Sequence, residues 1–364
     1  MNHKSIIDQF QIQGTVLSVE PFGGGHINDT FRIKCLDGTL NLDYLLQKVN
    51  RYVFRDIHGL MNNIDLITNH IRDKLLMERV QDLERRSLKL TRTKEGDLYF
   101  EDEDEQCWRI FNFIGDHLVF DRAPNTSIAY EGSRMFGLFL TQLSDLDPKQ
   151  IVDTIPNFHN IKYRLDNLEK AVAKNPENRV SQVKNEIDYV HRSYDIMTVI
   201  YNLGEKKVIP TRIVHNDTKI NNVLFDKDHK GLCVIDLDTV MAGYAHYDFG
   251  DVIRTGATTA DEDEEDLKKI NYDLEMFKAF SAGFLEVAGD ILNEEEIDTL
   301  AHAALLFPFI MGVRFLTDFI EGDVYYKIKY PEHNLVRARA QLKLAQDGEE
   351  KLTEMQQIIH KLIS

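Results

Sequence analysis

Several short stretches within residues 16–113 alternate between apolar and polar positions with the two-residue period of strands. Residues 16–20 and 30–34 follow this period on either side of a turn with three glycines, which predicts a β-hairpin. Residues 42–49 predict a third strand. Residues 98–100 and 107–113, separated by an acidic turn, are expected to complete a small mixed sheet.

Further along the chain, the apolar residues recur with the 3.6-residue period of helices. Leu60, Ile64 and Ile67 fall on one helical face, and most of the chain after residue 127 has the same period. We therefore expect an α+β, bilobal fold, with a sheet-rich lobe over residues 1–111 and a mainly helical lobe over residues 112–364. The predicted helices cover residues 3–10, 60–80, 127–143, 160–174, 180–203, 273–288, 293–320 and 334–363.

Composition and net charge limit the kinds of molecule that this protein is expected to bind and the environment in which it is expected to work. The formal net charge of −17 disfavours a nucleic-acid or anionic-membrane partner, because both require a basic surface. The three cysteines have no paired spacing, so neither a disulfide framework nor a zinc site is expected. The most apolar stretch, residues 303–316, is interrupted by Pro308 and Arg314 and is too short to span a bilayer. Since residues 1–10 also lack an apolar signal core, we expect a cytoplasmic protein, and its oligomeric state is left open.

In residues 211–254, carboxylates and amides stand where short apolar runs end. Asp217 and Asn222 lie five residues apart in one loop, and Asp236 ends a later apolar run. Phosphoryl transfer uses such a set, because a carboxylate receives the proton of the attacking hydroxyl and oxygen ligands hold the magnesium that bridges the phosphates. The spacing predicts Asp217 as the catalytic base, and Asn222 and Asp236 as magnesium ligands. Asp238 is a weaker candidate ligand, with a hydrogen bond to the loop as its alternative role.

These motifs resemble the signature of the aminoglycoside phosphotransferase-type kinases, which have a protein-kinase-like fold with a nucleotide-binding lobe and a catalytic, substrate-binding lobe. The signature strings are HNDTKINN at residues 215–222 and IDLDT at residues 235–239. Similarity to family members that phosphorylate N-acetylhexosamines extends over essentially the whole chain, through GGGHINDTF at residues 23–31 and KYPEHNLVR at residues 329–337. The resemblance implies a magnesium-dependent enzyme that transfers phosphate from ATP to the anomeric O1 hydroxyl of N-acetylgalactosamine (GalNAc) or N-acetylglucosamine (GlcNAc).

Two other functions stay open on the sequence alone. One is a kinase of the same fold that acts on homoserine, an amino alcohol or an aminoglycoside. The other is a catalytically weak pseudokinase that binds nucleotide or sugar, although the complete set of Asp217, Asn222 and Asp236 argues against it. The sequence does not establish a preference between GalNAc and GlcNAc, or between nucleotides.

The resemblance also implies which side chains bind the sugar. Asn216 directly precedes Asp217, and its amide is expected to help hold the substrate while Asp217 aims the attacking oxygen. His26, which follows the glycines, is implied to reach the sugar, with a surface or core histidine as its alternative. Arg314 and, more weakly, Tyr325 are implied in the same pocket.

Several of these polar residues also have structural explanations. Arg314 lies in an otherwise apolar helix, where a buried charge is costly unless it is paired, for instance with Asp318 one turn on. The resemblance implies that His215 braces the backbone of the catalytic loop. We expect Arg254 to support that loop through a carboxylate pair. The Asp-Phe-Gly string at residues 248–250 is not the magnesium motif, because order and spacing assign that motif to Asp236.

The nucleotide site is expected at the glycine-rich turn and the third strand. A hairpin turn alone explains Gly23, Gly24 and Gly25, but in a kinase such a turn lets backbone N–H groups approach the phosphates. Kinases place a lysine on the third strand to pair the phosphates, and here Gln47 occupies that position. Either the Gln47 amide contacts the phosphates, or Lys48 reaches the same side through a local bulge, since neighbouring strand residues face opposite sides.

Overall fold

The computed structural model of the protein describes residues 3–23 and 27–363. These residues form both strands and helices, which confirms the predicted α+β fold class. The strands, in chain order, are β1 Thr15–Pro21, β2 Asp29–Asp37, β3 Leu40–Val49, β4 Leu90–Thr91, β5 Phe100–Glu101, β6 Cys107–Asn112, β7 Arg212–Val214, β8 Val223–Phe225, β9 Gly231–Val234 and β10 Met241–Gly243.

Helices dominate the chain after β6. The α-helices, in chain order, are α1 His3–Ile7, α2 Ile57–Met77, α3 Leu83–Arg86, α4 Thr126–Gln142, α5 Ile161–Lys174, α6 Lys184–Arg192, α7 Tyr194–Met197, α8 Val199–Glu205, α9 Ala245–Gly256, α10 Leu274–Ala288, α11 Glu294–Thr299, α12 His302–Glu321 and α13 His333–Ile363.

The chain forms two compact units, each assembled from three separate stretches. The first unit comprises residues 1–119, 142–156 and 222–242, and the second comprises residues 120–141, 157–221 and 243–364. The predicted lobes are continuous segments and these units are not, so the lobe boundary after residue 111 stays a prediction.

The first unit is built on a sheet with strand order β1-β2-β3-β6-β4, and β5 also pairs with β6. β1 and β2 form the predicted hairpin. Every pairing in this sheet is antiparallel, so the prediction of a mixed sheet is wrong in this respect. On one face, residues of α1 and the segment after it complete a core whose members include Ile6, Phe10, Leu46, Trp108 and Ile110.

Helix α2 packs within the first unit through the face that its period predicts. Leu60, Ile64 and Ile67 are fully buried. The helix begins after Asp56, whose carboxylate accepts a hydrogen bond from the N–H of Gly59 at 2.8 Å, as N-cap residues do. Polar and apolar positions of the sequence therefore determine both the start and the buried face of this helix.

Helix α12 packs against α5, α9 and α13 in the second unit. Within residues 3–23 and 27–363 it is the one helix long and apolar enough to cross a membrane, but 83% of its most apolar window is buried inside the protein. Residues 303–316, which are expected to be too short to span a bilayer, form most of α12, which is 20 residues long. Its apolar composition is explained by core packing, since Phe307, Phe309 and Val313 are buried.

Two predicted helices are interrupted in the structure. Residues 180–203 contain α6, α7 and α8 rather than one helix, and residues 293–320 contain α11 and most of α12. The break between α6 and α7 falls at Ser193, whose hydroxyl donates to Glu349 Oε1 at 3.0 Å, and the Tyr189 hydroxyl donates to the same oxygen at 2.6 Å. These contacts with α13 are distant in sequence, so a local apolar period does not report them.

Helix α9 is not among the helices predicted from sequence. It contains two glycines, which are weak helix formers. Tertiary packing stabilises it instead, because Phe249, Val252 and Ile253 are fully buried. Gly250 approaches α12 so closely that a Cβ atom there would lie 2.4 Å from Phe307 Cδ2, so the glycine is required for this contact.

Candidate active site

The β8–β9 hairpin of the first unit carries the two predicted magnesium ligands. Val223 pairs with Val234, and the N–H of Ile235 donates to the carbonyl of Asn222 at 2.9 Å, so Asn222 and Asp236 stand at the same end of the hairpin. Asn222 is buried, whereas Asp236 is exposed and has a left-handed backbone with φ of 62°. This conformation is uncommon for a non-glycine residue. The role of both as ligands stays a prediction.

Asp238, two residues beyond Asp236, is buried and bonded to two other residues of the first unit. Its Oδ1 and Oδ2 accept hydrogen bonds from Arg109 Nη1 and Nη2 at 2.6 and 2.9 Å, and Oδ2 also accepts one from Asn28 Nδ2 at 2.7 Å. This bidentate pair, rather than the expected bond to the catalytic loop, holds the carboxylate. Sequence reasoning missed Arg109, for which the available signal is a single charge within the apolar strand β6.

Gln47 lies directly opposite Arg109 on the neighbouring strand. Its Oε1 accepts hydrogen bonds from Arg109 Nε and Nη2 at 3.0 and 2.9 Å, and its Nε2 donates to Thr30 Oγ1 at 3.2 Å. Lys48 instead forms an ion pair with Asp29 at 2.6 Å. Because β3 pairs with β2 and with β6 in continuous register, the alternative in which Lys48 reaches around through a bulge is wrong.

Gly23 is the residue of the predicted phosphate-binding glycines that the structure describes. Its φ of 75° is left-handed and favours glycine, and a Cβ atom added there would meet nothing within 4 Å. Gly24, Gly25 and His26 lie outside the described residues. The predicted contacts of these four residues with phosphates or sugar stay predictions.

In the second unit, helix α9 holds the backbone of the loop that contains Asp217. The fully buried Asp248 accepts hydrogen bonds from the backbone N–H groups of His215 and Asn216 at 2.9 and 2.8 Å. Burial raises the pKa of Asp248 to about 6, although His215 and these bonds act in the opposite direction. Asp248 therefore positions the loop, a role that the sequence analysis did not assign to it.

The next acidic residue of α9 supports the same loop. Asp251 Oδ2 accepts a hydrogen bond from the N–H of Thr218 at 3.1 Å. Its Oδ1 accepts bonds from Arg254 Nε and Nη2 at 3.0 and 2.9 Å, while Arg254 Nη1 donates to Glu262 Oε1 at 3.1 Å. The predicted role of Arg254, support of the loop through a carboxylate pair, is confirmed.

Asp217, the predicted base, lies between a histidine brace and a lysine. The Nδ1 of the buried His215 accepts a hydrogen bond from the N–H of Asp217 at 3.3 Å, which confirms that His215 braces the backbone. Asp217 Oδ1 lies 2.8 Å from Lys219 Nζ. Burial lowers the pKa of Lys219, but the carboxylates of Asp217 and Asp251 outweigh it and raise the pKa overall, so Lys219 is charged at neutral pH. Sequence reasoning did not single out Lys219, although it lies only two residues from Asp217.

Asn216 has a left-handed backbone with φ of 64°, and a histidine from outside the loop holds it. His159 Nε2 lies 3.0 Å from the carbonyl oxygen of Asn216. Burial lowers the pKa of His159 to about 3, so the ring is neutral and donates this hydrogen bond from Nε2. Sequence reasoning missed His159, since it belongs to no local motif.

Arg314 lies on α12 without the ion pair that would explain it structurally. The Asp318 carboxylate accepts hydrogen bonds from the backbone N–H groups of Tyr325 and Tyr326 at 2.8 and 2.9 Å, so the suggested pair with Arg314 is wrong. The Arg314 guanidinium lies 5.5 Å from the ring centroid of Tyr326 and 5.6 Å from that of Phe158. No carboxylate within residues 3–23 and 27–363 forms an ion pair with it.

Arg164, on α5, is a second cation near Arg314 that sequence reasoning missed. Its Nη2 donates to the carbonyl of Phe158 at 2.8 Å, while its buried Nε has no hydrogen-bond partner among the described residues. Burial and the charge of Arg314 lower the pKa of Arg164 to about 10. Arg164 is therefore still charged at neutral pH, and the two guanidiniums repel each other. Tyr325 is exposed, with its ring centroid 4.8 Å from that of Tyr326.

Sequence comparison identifies the family of this chain. Residues 18–281, which include strands β2 and β3, both loop motifs and helix α9, match the phosphotransferase enzyme family. The match covers more than half of the chain, and the chain therefore belongs to the phosphotransferase enzyme family. The resemblance to aminoglycoside phosphotransferase-type kinases is thus confirmed at the level of the family.

Solved structures share the fold across nearly the whole chain. An aminoglycoside phosphotransferase from Alicyclobacillus acidocaldarius has 11% identity and a TM-score of 0.62, with 99% of this chain and 97% of that chain covered. A choline kinase from Cryptosporidium parvum has 16% identity and a TM-score of 0.56, with 99% and 98% covered. A spectinomycin phosphotransferase, solved with ADP and spectinomycin, has 14% identity and a TM-score of 0.52, with 93% and 94% covered. These similarities confirm the kinase-like fold.

Proposed function

We propose that this phosphotransferase is an ATP- and magnesium-dependent small-molecule kinase that phosphorylates the anomeric O1 hydroxyl of GalNAc and GlcNAc. Family membership supports phosphoryl transfer. The spectinomycin phosphotransferase of the same fold, solved with ADP, supports an adenine nucleotide as the donor. The observation that carries the choice of acceptor is the pair Arg164 and Arg314, two guanidiniums in the unit that contains Asp217 that have no carboxylate partner among the described residues.

Asp217 is proposed as the catalytic base. It accepts the proton of the attacking hydroxyl and aims that oxygen in line with the γ-phosphorus. Lys219, 2.8 Å away, holds the carboxylate in one orientation. The backbone on either side is fixed by Asp248 and Asp251 rather than by the Asp217 side chain, so substitution of Asp217 should leave the loop in place.

Asn222 and Asp236 are proposed to hold magnesium, which when bound neutralises negative charge on the phosphates. Within residues 3–23 and 27–363 there is no cluster of three or more His, Cys, Asp or Glu suited to a metal ion. Magnesium keeps several waters and shares its coordination with substrate phosphates, so it does not need a site made entirely of protein ligands. One amide and one carboxylate at the same end of a hairpin therefore suit it.

The charge near Asn216 favours an acceptor that is rich in oxygen and carries no cation. His159, bonded to the Asn216 carbonyl, is neutral, and the charges of Arg314 and Arg164 both lower its pKa. A site with uncompensated guanidiniums attracts carbonyl and hydroxyl oxygens and repels an ammonium group. A hydrogen bond between a charged donor and an acetamide carbonyl contributes about 1.5–3 kcal/mol, which selects N-acetylated over free amino sugars by roughly one to two decades.

The same arginine pair supports a second candidate function. A guanidinium binds a carboxylate even better than it binds an amide oxygen, through paired hydrogen bonds. A kinase for a hydroxy amino acid such as homoserine would therefore also use Arg164 and Arg314, to bind the carboxylate. Amino alcohols and aminoglycosides are less well supported, because they bring cationic groups near two guanidiniums without a carboxylate to offset them.

A coupled assay with an acceptor panel tests both candidates. The panel contains GalNAc, GlcNAc, glucosamine, homoserine, choline and kanamycin, each with ATP and magnesium, and the Asp217→Asn variant is the control for contaminating activity. We expect GalNAc and GlcNAc to be phosphorylated, and the product to lose its free reducing end. Equal activity with glucosamine, or a product that keeps its reducing end, would contradict the sugar assignment. Activity with homoserine alone would establish the second candidate.

A further inference from the structure

A buried guanidinium links two strands of the first unit to the segment that follows β9. Arg109, on β6, is 2% exposed, and every one of its guanidinium nitrogens donates a hydrogen bond. Two nitrogens bind the Asp238 carboxylate, and Nε and Nη2 bind Gln47 Oε1. The charge of Arg109 is therefore compensated by Asp238, and its orientation is fixed by Gln47, its direct neighbour across the sheet.

The same carboxylate is tied to the segment that follows the glycine-rich turn. Asn28 Nδ2 donates to Asp238 Oδ2 at 2.7 Å, and Asn28 Oδ1 accepts a hydrogen bond from the N–H of Asn50 at 3.0 Å. Asn50 Nδ2 in turn donates to the carbonyl of Ile27 at 3.2 Å. Asn28 therefore connects the residues just after the turn both to the end of β3 and to Asp238.

Asp238 is also held through its backbone, because Thr154 Oγ1 donates to the Asp238 carbonyl at 3.0 Å. Asp236 is only two residues away and has a left-handed backbone, so its position depends on where Asp238 is anchored. The anchor leaves both Asp238 oxygens occupied by Arg109 and Asn28. An oxygen held in this way is a poor metal ligand, and this argues against the alternative that Asp238 binds magnesium.

We propose that Arg109, Asp238 and Asn28 form a positioning network that sets the Asp236 carboxylate and the segment of residues 27–28 in one fixed arrangement for magnesium-nucleotide. The network rests on the proposed function. Arg109, on β6, is the counterion of Asp238 in this network. Gln47, at the third-strand position where kinases carry a lysine, orients Arg109 through its amide oxygen, and a cation at position 47 would repel Arg109 instead.

Magnesium-ADP binding tests the network without any assumption about the acceptor. Asn28→Ala removes the bond between Asn28 and Asp238 and leaves the buried ion pair intact. We expect its Kd for magnesium-ADP to rise about tenfold, as for loss of a hydrogen bond to a charged group, and its half-saturating magnesium concentration to rise as well. Asn41→Ala is the matched control, because Asn41 is an exposed asparagine at the far end of β3. Equal binding by the Asn28→Ala and Asn41→Ala variants would overturn the proposal.

A single variant and a double variant test the role of Arg109. Arg109→Gln should weaken magnesium-ADP binding more than Asn28→Ala does, because it leaves Asp238 without a counterion. The double variant Gln47→Lys with Arg109→Gln moves a cation to the third strand, and we expect it to recover part of the lost binding. No recovery in a folded double variant would contradict the proposal. If Arg109→Gln does not fold, the result with Asn28→Ala decides.

The outcomes separate this inference from the proposed function. A wild-type protein that binds no magnesium-ADP would refute the proposed kinase. A wild-type protein that binds magnesium-ADP while Asn28→Ala binds it equally well would refute only the positioning network.

Discussion

Lys219 Nζ lies 2.8 Å from Asp217 Oδ1 on the loop that α9 holds in this phosphotransferase. The two residues are separated by Thr218 alone, and the backbone N–H of Thr218 is held by Asp251 of α9. The side chains of Asp217 and Lys219 are therefore oriented toward each other by one short, well-supported loop. Asp217 is 24% exposed, so its carboxylate is accessible to solvent, as its proposed role as a base requires.

Asp217→Asn should therefore remove activity without unfolding the protein. Loss of one positioned acid–base group typically lowers the rate by about 10²–10⁴. The loop backbone should be retained, because Asp248 and Asp251 hold it. The measurement is kcat with GlcNAc, alongside the thermal unfolding midpoint. Asp228→Asn, an exposed aspartate in the β8–β9 turn, is the control and should keep full activity. Asp217 would lose its assigned role if its variant kept most of the wild-type kcat.

Asn222→Ala and Asp236→Ala should act through magnesium, because each removes an oxygen ligand from a sparsely held ion. We expect high magnesium to restore activity partly in the Asn222 variant and less in the Asp236 variant, since a carboxylate contributes charge as well as an oxygen. The measurement is a titration of activity against magnesium at saturating ATP. Unchanged magnesium dependence in both variants would show that the ligands lie elsewhere.

Local patterns of the sequence predict much of this fold. The hairpin of β1 and β2 and the buried face of α2 depend on residues close together in the chain, where periodicity and turn residues are informative. The spacing of Asp217 and Asn222 likewise belongs to one loop. The register of β8 and β9 then brings Asn222 and Asp236 to one end of a hairpin, as short apolar runs joined by a turn predict.

Long-range partners are what the sequence does not reveal. Arg109 and Asp238 are 129 residues apart, and nothing local to either predicts the other. His159 reaches Asn216 from 57 residues away, and a lone histidine in an apolar segment gives no sign of that role. The same applies to Asp318, which lies one turn from Arg314 but bonds to the backbone of residues 325 and 326 instead. Spacing along a helix brings two charged side chains within reach of each other, but it does not determine which partner each side chain binds.

Acid should destabilise the second unit through its buried histidines. His246 is fully buried, its Nε2 lies 3.0 Å from the Thr299 hydroxyl, and burial lowers its pKa to about 3. The unfolded chain takes up a proton near pH 6.5 and the folded chain does not, so this contribution to stability is present above pH 6.5 and is lost as pH falls toward 3. The loss is about 1.4 kcal/mol per pH unit for each such group.

His246→Gln isolates this effect. Between pH 7.5 and 5.0 the free energy of unfolding should fall by about 2 kcal/mol less in the variant than in the wild type. Asp248 acts in the opposite direction, because its pKa is raised to about 6 and its folded form gains stability on protonation, but it is present in both proteins and cancels in the difference. Urea unfolding at the two pH values gives the comparison. Parallel pH profiles for variant and wild type would mean that His246 does not resist protonation.

The last prediction concerns the acceptor and separates Arg164 from Arg314. Both guanidiniums lie beside Phe158, Arg314 near its ring and Arg164 bonded to its carbonyl, and neither has a carboxylate partner within the described residues. If they bind the acceptor, Arg314→Ala and Arg164→Ala should each raise KM for GlcNAc about tenfold or more, as for loss of a charged hydrogen bond, with KM for ATP little changed. The matched control is Arg192→Ala, because Arg192 is an exposed arginine on α6 that stacks on Tyr189.

The Arg314 and Arg164 variants should also change the choice between acceptors. Each variant should improve the activity with glucosamine relative to that with GlcNAc, because a cation that repels the ammonium group of glucosamine has been removed. A variant that raises KM for GlcNAc and for ATP equally would indicate a structural role for the arginine. A variant that leaves the ratio of GlcNAc to glucosamine activity unchanged would contradict the proposal that the two guanidiniums determine specificity.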